Sequence, residues 1–123
     1  MKVYILDKPG ESMEQMLLWL GEEIRFNEIK AFNDYAQFVR QVGKMLPDLC
    51  IIRLGEVEMP GLKVARMIQQ IKSDIRIIFL SDDSDYALEA YEIGANGYLM
   101  CPLLEEKFKK CIREIRIPLT TAK

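Results

Sequence analysis

The stretch PDLCIIRLGEVEMPG, residues 47–61, contains the two features on which the interpretation of this chain depends. Its apolar run, residues 49–52, predicts a strand that is buried on both faces of a sheet. The next residue is Arg53, whose guanidinium stays charged and is costly to bury without a partner. Pro60 and Gly61 then indicate a loop before the next helix. A cation is therefore expected at the end of a buried strand.

Outside this stretch the apolar pattern alternates between strand spacing and helix spacing. Short apolar runs of strand type occur along the chain as KVYIL, IKAF, DLCIIRL, IRIIFL and YLM. Between and after them, apolar residues recur at helical spacing, for example at Val64, Met67, Ile68 and Ile71. Strands that alternate with helices predict an α/β domain in which a parallel sheet is covered on both faces.

The composition is that of one globular domain. Of the 123 residues, 50% are hydrophobic and 29% are charged, which is ordinary for such a domain. No apolar run approaches the roughly 20 residues of a membrane span, and KVYIL meets Asp7 too early for a signal peptide. We therefore expect a cytoplasmic chain without membrane contact. The formal net charge of -2 argues against direct nucleic-acid binding by this domain.

The residue types that usually bind transition metals are sparse. The 3 cysteines lack close-paired spacing and predict neither a disulfide framework nor a zinc site. The chain has no histidine that could act as a general base or carry a phosphoryl group. The acidic cluster SDDSD, residues 81–85, lacks the length and ligand spacing of a calcium loop, so helix capping accounts for it better.

The candidate site lies where the predicted strands end. In doubly wound sheets, ligands bind in the crevice beyond the carboxyl ends of the strands. The residues that follow the predicted strands at that edge are Asp7, Lys8, Arg53, Ser81, Asp82, Cys101 and Pro102. They bring acids, cations, a hydroxyl and a thiol to one edge of the sheet.

These strand-end positions, the PDL before the third strand and the segment YALEAYEIGANGYLMCP resemble the receiver domain of two-component response regulators. The resemblance covers nearly the whole chain. It implies a flavodoxin-like fold, a doubly wound five-stranded parallel sheet in the order 2-1-3-4-5 with helices on both faces. Residues 1–117 would then form the receiver-like domain, and residues 118–123 a C-terminal tail or the start of a linker to an output domain.

The chemistry of that family is matched only in part. In the family, an acidic pair after the first strand binds Mg²⁺ and an Asp at the end of the third strand accepts a phosphoryl group from a histidine kinase. A hydroxyl and a Lys hold the phosphate. In this sequence Asp7 matches one acid, and Lys8 replaces the other. Arg53 occupies the phosphoacceptor position, Ser81 matches the hydroxyl, and Cys101 replaces the Lys.

Other positions of the family pattern are retained. Gly61 matches the family's loop glycine, although Pro60 precedes it where an Asp is usual. Pro102 is retained, and the resemblance implies a cis peptide bond before it. Tyr98 matches the aromatic residue whose rotation reports the phosphorylated state. The resemblance therefore implies that Ser81 and Tyr98 are switch-like residues.

The departures from the pattern predict that phosphorylation is lost. Mg²⁺ prefers several oxygen ligands, whereas Lys8 and Arg53 bring positive charge to two carboxylate positions. A divalent ion about 4 Å from one such cation would meet repulsion of several kcal/mol at an effective dielectric near 20. We therefore expect no bound Mg²⁺ and no other cofactor. Arg53 is predicted to pair with Asp7 instead, and the alternative is that Arg53 extends to solvent.

The favoured function is that of a degenerate receiver, or pseudo-receiver, which is not an enzyme and acts by protein contact. The resemblance implies contact with a protein partner, or with a second copy in a homodimer, through the fourth helix, fifth strand and fifth helix. The residues expected on that face are Tyr86, Glu89, Tyr98, Lys107 and Lys110. The resemblance also implies a C-terminal output domain, often DNA-binding, so that the full protein would be a transcriptional regulator.

Three alternatives stay open from the sequence. The domain could accept a phosphoryl group at a non-standard residue such as Asp7. Arg53 and Lys8 could bind an anion or a small molecule, although neutralisation by nearby acids such as Glu56 and Glu58 is favoured. An electron-transfer flavin protein is the least favoured alternative, because DKPGES after the first strand lacks a Ser/Thr-rich phosphate cradle.

Overall fold

The computed structural model describes residues 1–55 and 60–115. Its strands are β1 (Lys2–Leu6), β2 (Glu28–Phe32), β3 (Leu49–Arg53), β4 (Arg76–Ser81) and β5 (Gly97–Met100). Its helices are α1 (Glu11–Gly21), α2 (Tyr35–Lys44), α3 (Gly61–Ile71), α4 (Ala87–Glu92) and α5 (Glu105–Glu114), and a 3₁₀ turn at Ser84–Tyr86 precedes α4. Glu56, Glu58, the predicted tail at residues 118–123 and the predicted domain boundary at residue 117 lie outside the described residues.

The strands form one parallel sheet in the order β2-β1-β3-β4-β5, which confirms the predicted fold. In the register between β1 and β3, Leu6 pairs with Ile52. The residues that follow these two are Asp7 and Arg53, so the register alone brings the acid and the cation to adjacent strand ends. Every residue of β3 is buried, which explains why its sequence is a continuous apolar run up to Arg53.

Helices cover both faces of the sheet and close two apolar layers. The layer under α1 and α5 includes Ile5, Met16, Leu20, Ile51, Ile78, Phe108 and Ile112. The layer under α2 and α3 includes Tyr4, Phe38, Val42, Ile52, Val64, Ile68 and Phe79. Each fully buried side chain of this size contributes roughly 1.5–3 kcal/mol to the stability of the fold. The two layers therefore hold the strands, and with them the strand ends, in place. Among the described helices, none is long and apolar enough to cross a membrane.

The predicted apolar face of α3 is only partly buried. Val64 and Ile68 have no exposed surface, whereas Met67 and Ile71 are 36% and 40% exposed. The buried face is centred on the side that also carries Ala65, which is fully buried. Met67 and Ile71 therefore lie at the side of the buried face. The sequence could not show this, because apolar spacing of three and four residues defines a stripe on the helix but not its centre.

Side chains that precede the helices bind backbone groups at their starts. At α2, Oδ1 of Asp34 accepts hydrogen bonds from the N–H groups of Ala36 at 2.8 Å and Gln37 at 3.4 Å. In the SDDSD cluster, Oδ1 of Asp83 accepts a hydrogen bond from the N–H of Asp85 at 2.8 Å. The predicted capping role of that cluster is thereby confirmed.

Gly61 begins α3 where the chain passes very close to β3. A Cβ atom at this position would lie 2.7 Å from the backbone oxygen of Arg53 and 2.8 Å from Cδ2 of Leu54. Glycine avoids both contacts because it has no Cβ atom. The glycine therefore allows α3 to start directly against the end of β3, beside the candidate site.

Candidate functional site

Arg53 and Asp7 form a buried ion pair at the adjacent ends of β3 and β1. Nε of Arg53 donates to Oδ1 of Asp7 at 2.9 Å, and Nη2 donates to Oδ2 at 3.4 Å. The side chain of Arg53 is 7% exposed and that of Asp7 is closed to solvent. The predicted pair is therefore present, and the alternative in which Arg53 extends to solvent is not what is observed.

Two further side chains accept hydrogen bonds from Arg53. Nη2 donates to the hydroxyl oxygen of Ser12 in α1 at 3.1 Å, and Nη1 donates to Oδ1 of Asp82 at 3.3 Å. The Asp82 side chain is 76% exposed, so this contact lies at the mouth of the pocket. Each guanidinium nitrogen thus has an acceptor, and Arg53 joins the ends of β1, β3 and β4 to the start of α1.

The surroundings of Arg53 keep it positively charged. Burial disfavours the charged guanidinium, but the hydrogen bond from Arg53 to Asp7 and the negative charge of Asp7 outweigh that effect, so the pKa of Arg53 is raised. Two charge-assisted hydrogen bonds between the same two side chains fix their relative orientation and also stabilise their charges. The pair is therefore a fixed link between β1 and β3.

Lys8 is exposed and takes part in the network only through its backbone. Its N–H donates to Oδ1 of Asp7 at 2.8 Å, while its ammonium forms no ion pair with any described residue. The Lys8 ammonium therefore takes no part in the ion pairs of Arg53 with Asp7 and Asp82. Of the predicted pocket residues Asp7, Lys8, Arg53, Ser81 and Cys101, only Asp7 and Arg53 are joined to each other by side-chain hydrogen bonds in the part of the chain that the structure describes.

The hydroxyls of Ser81 and Tyr98 meet at the backbone of Asp83. The Ser81 hydroxyl donates to the carbonyl oxygen of Asp83 at 2.8 Å and accepts from its N–H at 2.9 Å. The Tyr98 hydroxyl donates to the same carbonyl oxygen. The two predicted switch-like residues are thus joined through a third residue of the loop between β4 and α4.

Cys101 lies half-buried beside Ser12. The Ser12 hydroxyl donates to the sulfur of Cys101 at 3.9 Å, and the backbone N–H of Cys101 donates to the carbonyl of Ser81 at 2.8 Å. Burial raises the pKa of the Cys101 thiol more than Arg53 and Ser12 lower it. The peptide bond to Pro102 is cis, as the sequence predicted. A neutral thiol in this position lacks the positive charge that a lysine would supply.

Ser12 and Asp83 were missed from the sequence, although both take part in the site. Ser12 lies in the first turn of α1, after the loop that follows β1. This position gives little indication of a site residue, because the Arg53 side chain reaches Ser12 only by crossing the crevice. Asp83 contributes backbone atoms to Ser81 and Tyr98, and backbone contacts of this kind leave no trace in residue type. Within residues 1–55 and 60–115, no group of three or more His, Cys, Asp or Glu side chains is placed to hold a metal ion.

The predicted contact face lies at the β5 edge of the sheet. Tyr86 is 38% exposed in the turn before α4, and Glu89, Lys107 and Lys110 are exposed on α4 and α5. Tyr98 is half-buried in β5. Large apolar side chains at or beside this face are also exposed, namely Leu88 (72%), Tyr91 (53%), Met100 (46%) and Leu104 (58%). The edge therefore combines apolar surface with charge.

The sequence profile of the response regulator receiver domain matches residues 3–113 of this chain. The sensory transduction protein LytT of Oceanobacillus iheyensis is 27% identical over 130 residues, which cover 100% of this chain and 52% of that protein. The transcriptional regulatory protein BtsR of Escherichia coli is 25% identical over 117 residues, which cover 94% of this chain and 48% of that protein. The chain thus spans about half the length of the curated relatives it matches.

Solved structures show the same fold. The response regulatory domain of protein mrkE from Klebsiella pneumoniae superposes with a TM-score of 0.84 at 18% identity, covering 92% of this chain and 93% of that one. The chemotaxis protein CheY4 of Vibrio cholerae superposes with a TM-score of 0.78 at 19% identity, covering 94% of this chain and 98% of that one. With a family profile that spans nearly the whole chain and a sheet in the expected order, this chain belongs to the response regulator receiver domain family.

Proposed function

We propose that this domain is a pseudo-receiver, a non-enzymatic signalling module that acts by protein contact without conventional aspartyl phosphorylation. The observation that carries the proposal is the buried pair of Arg53 and Asp7. Arg53 stands where the family has its phosphoacceptor, and a guanidinium cannot act as the oxygen nucleophile of phosphoryl transfer. Its two hydrogen bonds to Asp7 also occupy both oxygens of the retained acid.

The residues present do not fit Mg²⁺. The ion prefers near-octahedral oxygen ligands and is usually held in proteins by one or two carboxylates. Here Asp7 faces a guanidinium, Asp82 accepts from the same guanidinium, and Lys8 supplies an ammonium at the position of the family's second acid. A divalent ion at this place would be repelled by Arg53 by several kcal/mol at an effective dielectric of about 20. No step of the proposed function passes through a metal.

The positive clamp on the phosphoryl group is also missing from the pocket. Phosphoryl transfer depends on positioned positive charge around the developing negative charge. Cys101 occupies the family's lysine position, and burial favours its neutral thiol. The Ser81 hydroxyl is engaged with Asp83. A phosphodonor would therefore find neither acceptor nor clamp.

The two chemical alternatives have less support. An external anion would have to approach Arg53 beside the carboxylates of Asp7 and Asp82, which already accept hydrogen bonds from the guanidinium and offset its charge. Phosphorylation of Asp7 would require that a carboxylate closed to solvent leave its bidentate contact. Phosphorylation of Asp7 thus begins by breaking the buried pair, and anion binding works against two carboxylates, whereas a contact-driven module leaves the network intact.

The test of the proposal is the intact mass of the purified domain after incubation with Mg²⁺ and acetyl phosphate. An ordinary receiver domain treated in parallel shows that the donor is active. We expect no added phosphoryl group on this chain and near-complete modification of the control receiver. A stoichiometric gain of mass would overturn the proposal, and peptide mapping would then locate the modified residue.

We propose that the β5 edge is the contact face and that a second copy of the domain is its partner. The charged residues of α4 are the acids Glu89 and Glu92, and α5 presents the exposed cations Lys107 and Lys110. A two-fold axis beside β5 would place α4 of one copy against α5 of the other, and a two-fold interface is self-complementary by symmetry. The exposed apolar side chains of the face supply surface to bury.

Charge reversal tests this face by sedimentation equilibrium. We expect Lys107→Glu with Lys110→Glu, and separately Glu89→Lys with Glu92→Lys, to weaken self-association at least tenfold. An equimolar mixture of the two variants should associate again, because each α4 then meets an α5 of opposite charge. Lys44→Glu with Lys63→Glu, on α2 and α3, is the matched control. A wild-type chain that stays monomeric, or a mixture that does not recover, would count against the homodimer.

For the whole protein we propose a transcriptional regulator with an output domain after this one. The support is that two curated relatives of about twice the length are described as a sensory transduction protein and a transcriptional regulatory protein. The domain itself carries a net charge of -2, which does not favour binding to a phosphate backbone. DNA binding is therefore assigned to the output domain.

A further inference from the structure

A continuous set of contacts leads from the buried pair to the surface of the β5 edge. Arg53 donates to Asp82 at the mouth of the pocket. Asp82 is flanked in the chain by Ser81 and Asp83, and the Ser81 hydroxyl is bound to both backbone groups of Asp83. The Asp83 carbonyl then accepts the hydrogen bond of Tyr98, which lies on β5.

We infer that Asp82 acts as a latch, whose ion pair with Arg53 holds the loop between β4 and α4 so that the Asp83 carbonyl binds the Tyr98 hydroxyl. Arg53 and Asp82 are positioning residues for this contact. The latch connects the acceptor position of the pocket to the β5 edge without a phosphoryl group or a metal ion. Its importance for signalling rests on the function proposed above, whereas the latch itself does not.

The exposure of Asp82 is the first argument for the latch. Its side chain is 76% exposed, so core packing does not fix its conformation. Its only hydrogen bond to a described side chain is with Arg53, which is itself 7% exposed and bound to Asp7. An exposed carboxylate is thus bound to a buried cation, and through it the loop is connected to the Arg53–Asp7 pair.

The position of Asp82 in the chain is the second argument. Ser81 is the last residue of β4, 2% exposed, and paired in register with Met100 of β5. Asp83 caps the following turn through its side chain. Asp82 is the single residue between Ser81 and Asp83, so its backbone torsions, together with the two hydrogen bonds of the Ser81 hydroxyl, set the direction of the Asp83 carbonyl. Release of Asp82 from Arg53 would remove one of these two constraints.

The experiment reads the Tyr98 hydroxyl directly by NMR of the domain labelled with ¹³C at tyrosine Cζ. Tyr98→Phe assigns the Tyr98 signal among those of the 5 tyrosines. We expect Asp82→Ala to move the Tyr98 signal toward that of a solvent-exposed tyrosine, with the equilibrium constant between the bound and the released hydroxyl falling about two- to fivefold, as for loss of an exposed ion pair. Asp82 is exposed, so this variant retains the buried core.

Asp85→Ala is the matched control, because it removes an equal charge from an exposed residue of the same loop that makes no ion pair with any described residue. It should leave the Tyr98 signal in place. An unchanged signal in Asp82→Ala, or the same shift in both variants, would overturn the latch. No phosphodonor is present, so either result is independent of the phosphorylation test. Folding of each variant is checked by its amide spectrum.

Discussion

Nε of Arg53 lies 2.9 Å from Oδ1 of Asp7, and the two side chains are 7% and 0% exposed. Burial of two charges is costly, and a pair of this kind is stable only when geometry and hydrogen bonds compensate for lost hydration. Here the contact is bidentate through Nε and Nη2, Nη2 also donates to Ser12, and Nη1 donates to Asp82. The cost of burying the two charges is therefore well compensated while both are present, but the remaining charge has no such compensation if one partner is removed.

Removal of Arg53 should be strongly destabilising. Arg53→Met keeps much of the volume but leaves the carboxylate of Asp7 buried without a cation. We expect the free energy of unfolding to fall by about 3–5 kcal/mol. Equilibrium denaturation in urea, followed by circular dichroism, measures the change.

Two further variants separate loss of the pair from loss of the side chain. Arg66→Met, at an exposed position of α3, should change the stability by less than about 0.5 kcal/mol. Arg53→Met combined with Asp7→Asn should recover part of the loss, because the charge without a partner is then gone. A double variant no more stable than Arg53→Met would show that the buried charge is not the cause.

The close approach at Gly61 gives a second stability prediction. In Gly61→Ala the new Cβ atom would meet the Arg53 carbonyl oxygen at 2.7 Å, so β3 or α3 has to shift. We expect a loss of about 1–3 kcal/mol, the usual cost of overpacking. Thermal unfolding followed by calorimetry measures it.

Gly43 provides the matched control for that substitution. It lies in α2, and a Cβ atom there would meet nothing within 4 Å. Gly43→Ala should therefore stabilise the domain by about 0.5–1 kcal/mol through helix propensity. If both substitutions change stability in the same direction, the steric explanation for Gly61 is wrong.

Most of the fold could be predicted because it depends on local pattern and chain order. The apolar run before Arg53 predicted a strand buried on both faces, and β3 is buried throughout. The order of the strands followed from the family resemblance and was confirmed. The burial of Met67 and Ile71 could not be predicted, since apolar spacing defines a stripe on a helix and the packing of the neighbours decides which part of it is covered.

The site was predictable only where it depends on strand ends. Asp7 and Arg53 end adjacent strands, so their pairing followed from topology. Ser12 belongs to the site because the long side chain of Arg53 reaches it, and Asp83 because its backbone carbonyl accepts a hydrogen bond from Tyr98. Neither contact can be inferred from residue type or position. The solvent exposure of Lys8 also depends on the local path of the chain after β1.

The thiols should make the domain less stable in alkali. Burial raises the pKa of Cys111 to about 11 from its usual value of 9.0, with a smaller contribution from the charge of Glu114. Burial raises the pKa of Cys50 as well. Between pH 9 and about 11 the Cys111 thiol of the unfolded chain loses its proton while that of the folded chain keeps it. The unfolded state is favoured as pH rises, so stability falls in this range.

Cys111→Ala should flatten that dependence. The substitution lowers stability at neutral pH because it leaves a small space, but the further loss between pH 9 and about 11 should be smaller than in the unmodified chain. Urea denaturation at several pH values gives both slopes. Parallel curves throughout that range would contradict the prediction, since the two proteins differ only at residue 111.

Restoration of phosphorylation should require more than the acceptor. Arg53→Asp supplies a carboxylate at the acceptor position, but Lys8 still provides no metal ligand and Cys101 still provides no positive charge. We expect this variant to gain no phosphoryl group with Mg²⁺ and acetyl phosphate, as measured by intact mass. The combined variant Lys8→Asp, Arg53→Asp, Cys101→Lys should gain one, because it has the acidic pair, the acceptor and the clamp.

The comparison of these two variants distinguishes the physical causes to which we attribute the proposed loss of phosphorylation. If the acceptor alone were missing, Arg53→Asp would be modified as fully as the combined variant, and the argument from metal ligands and clamp would fail. Arg53→Asp with Lys8→Asp isolates the metal site, since it restores the acidic pair and leaves Cys101 in place. Modification of this intermediate, but at a lower rate than the combined variant, would assign the remaining difference to the charge at position 101, because that side chain is then the only change between them.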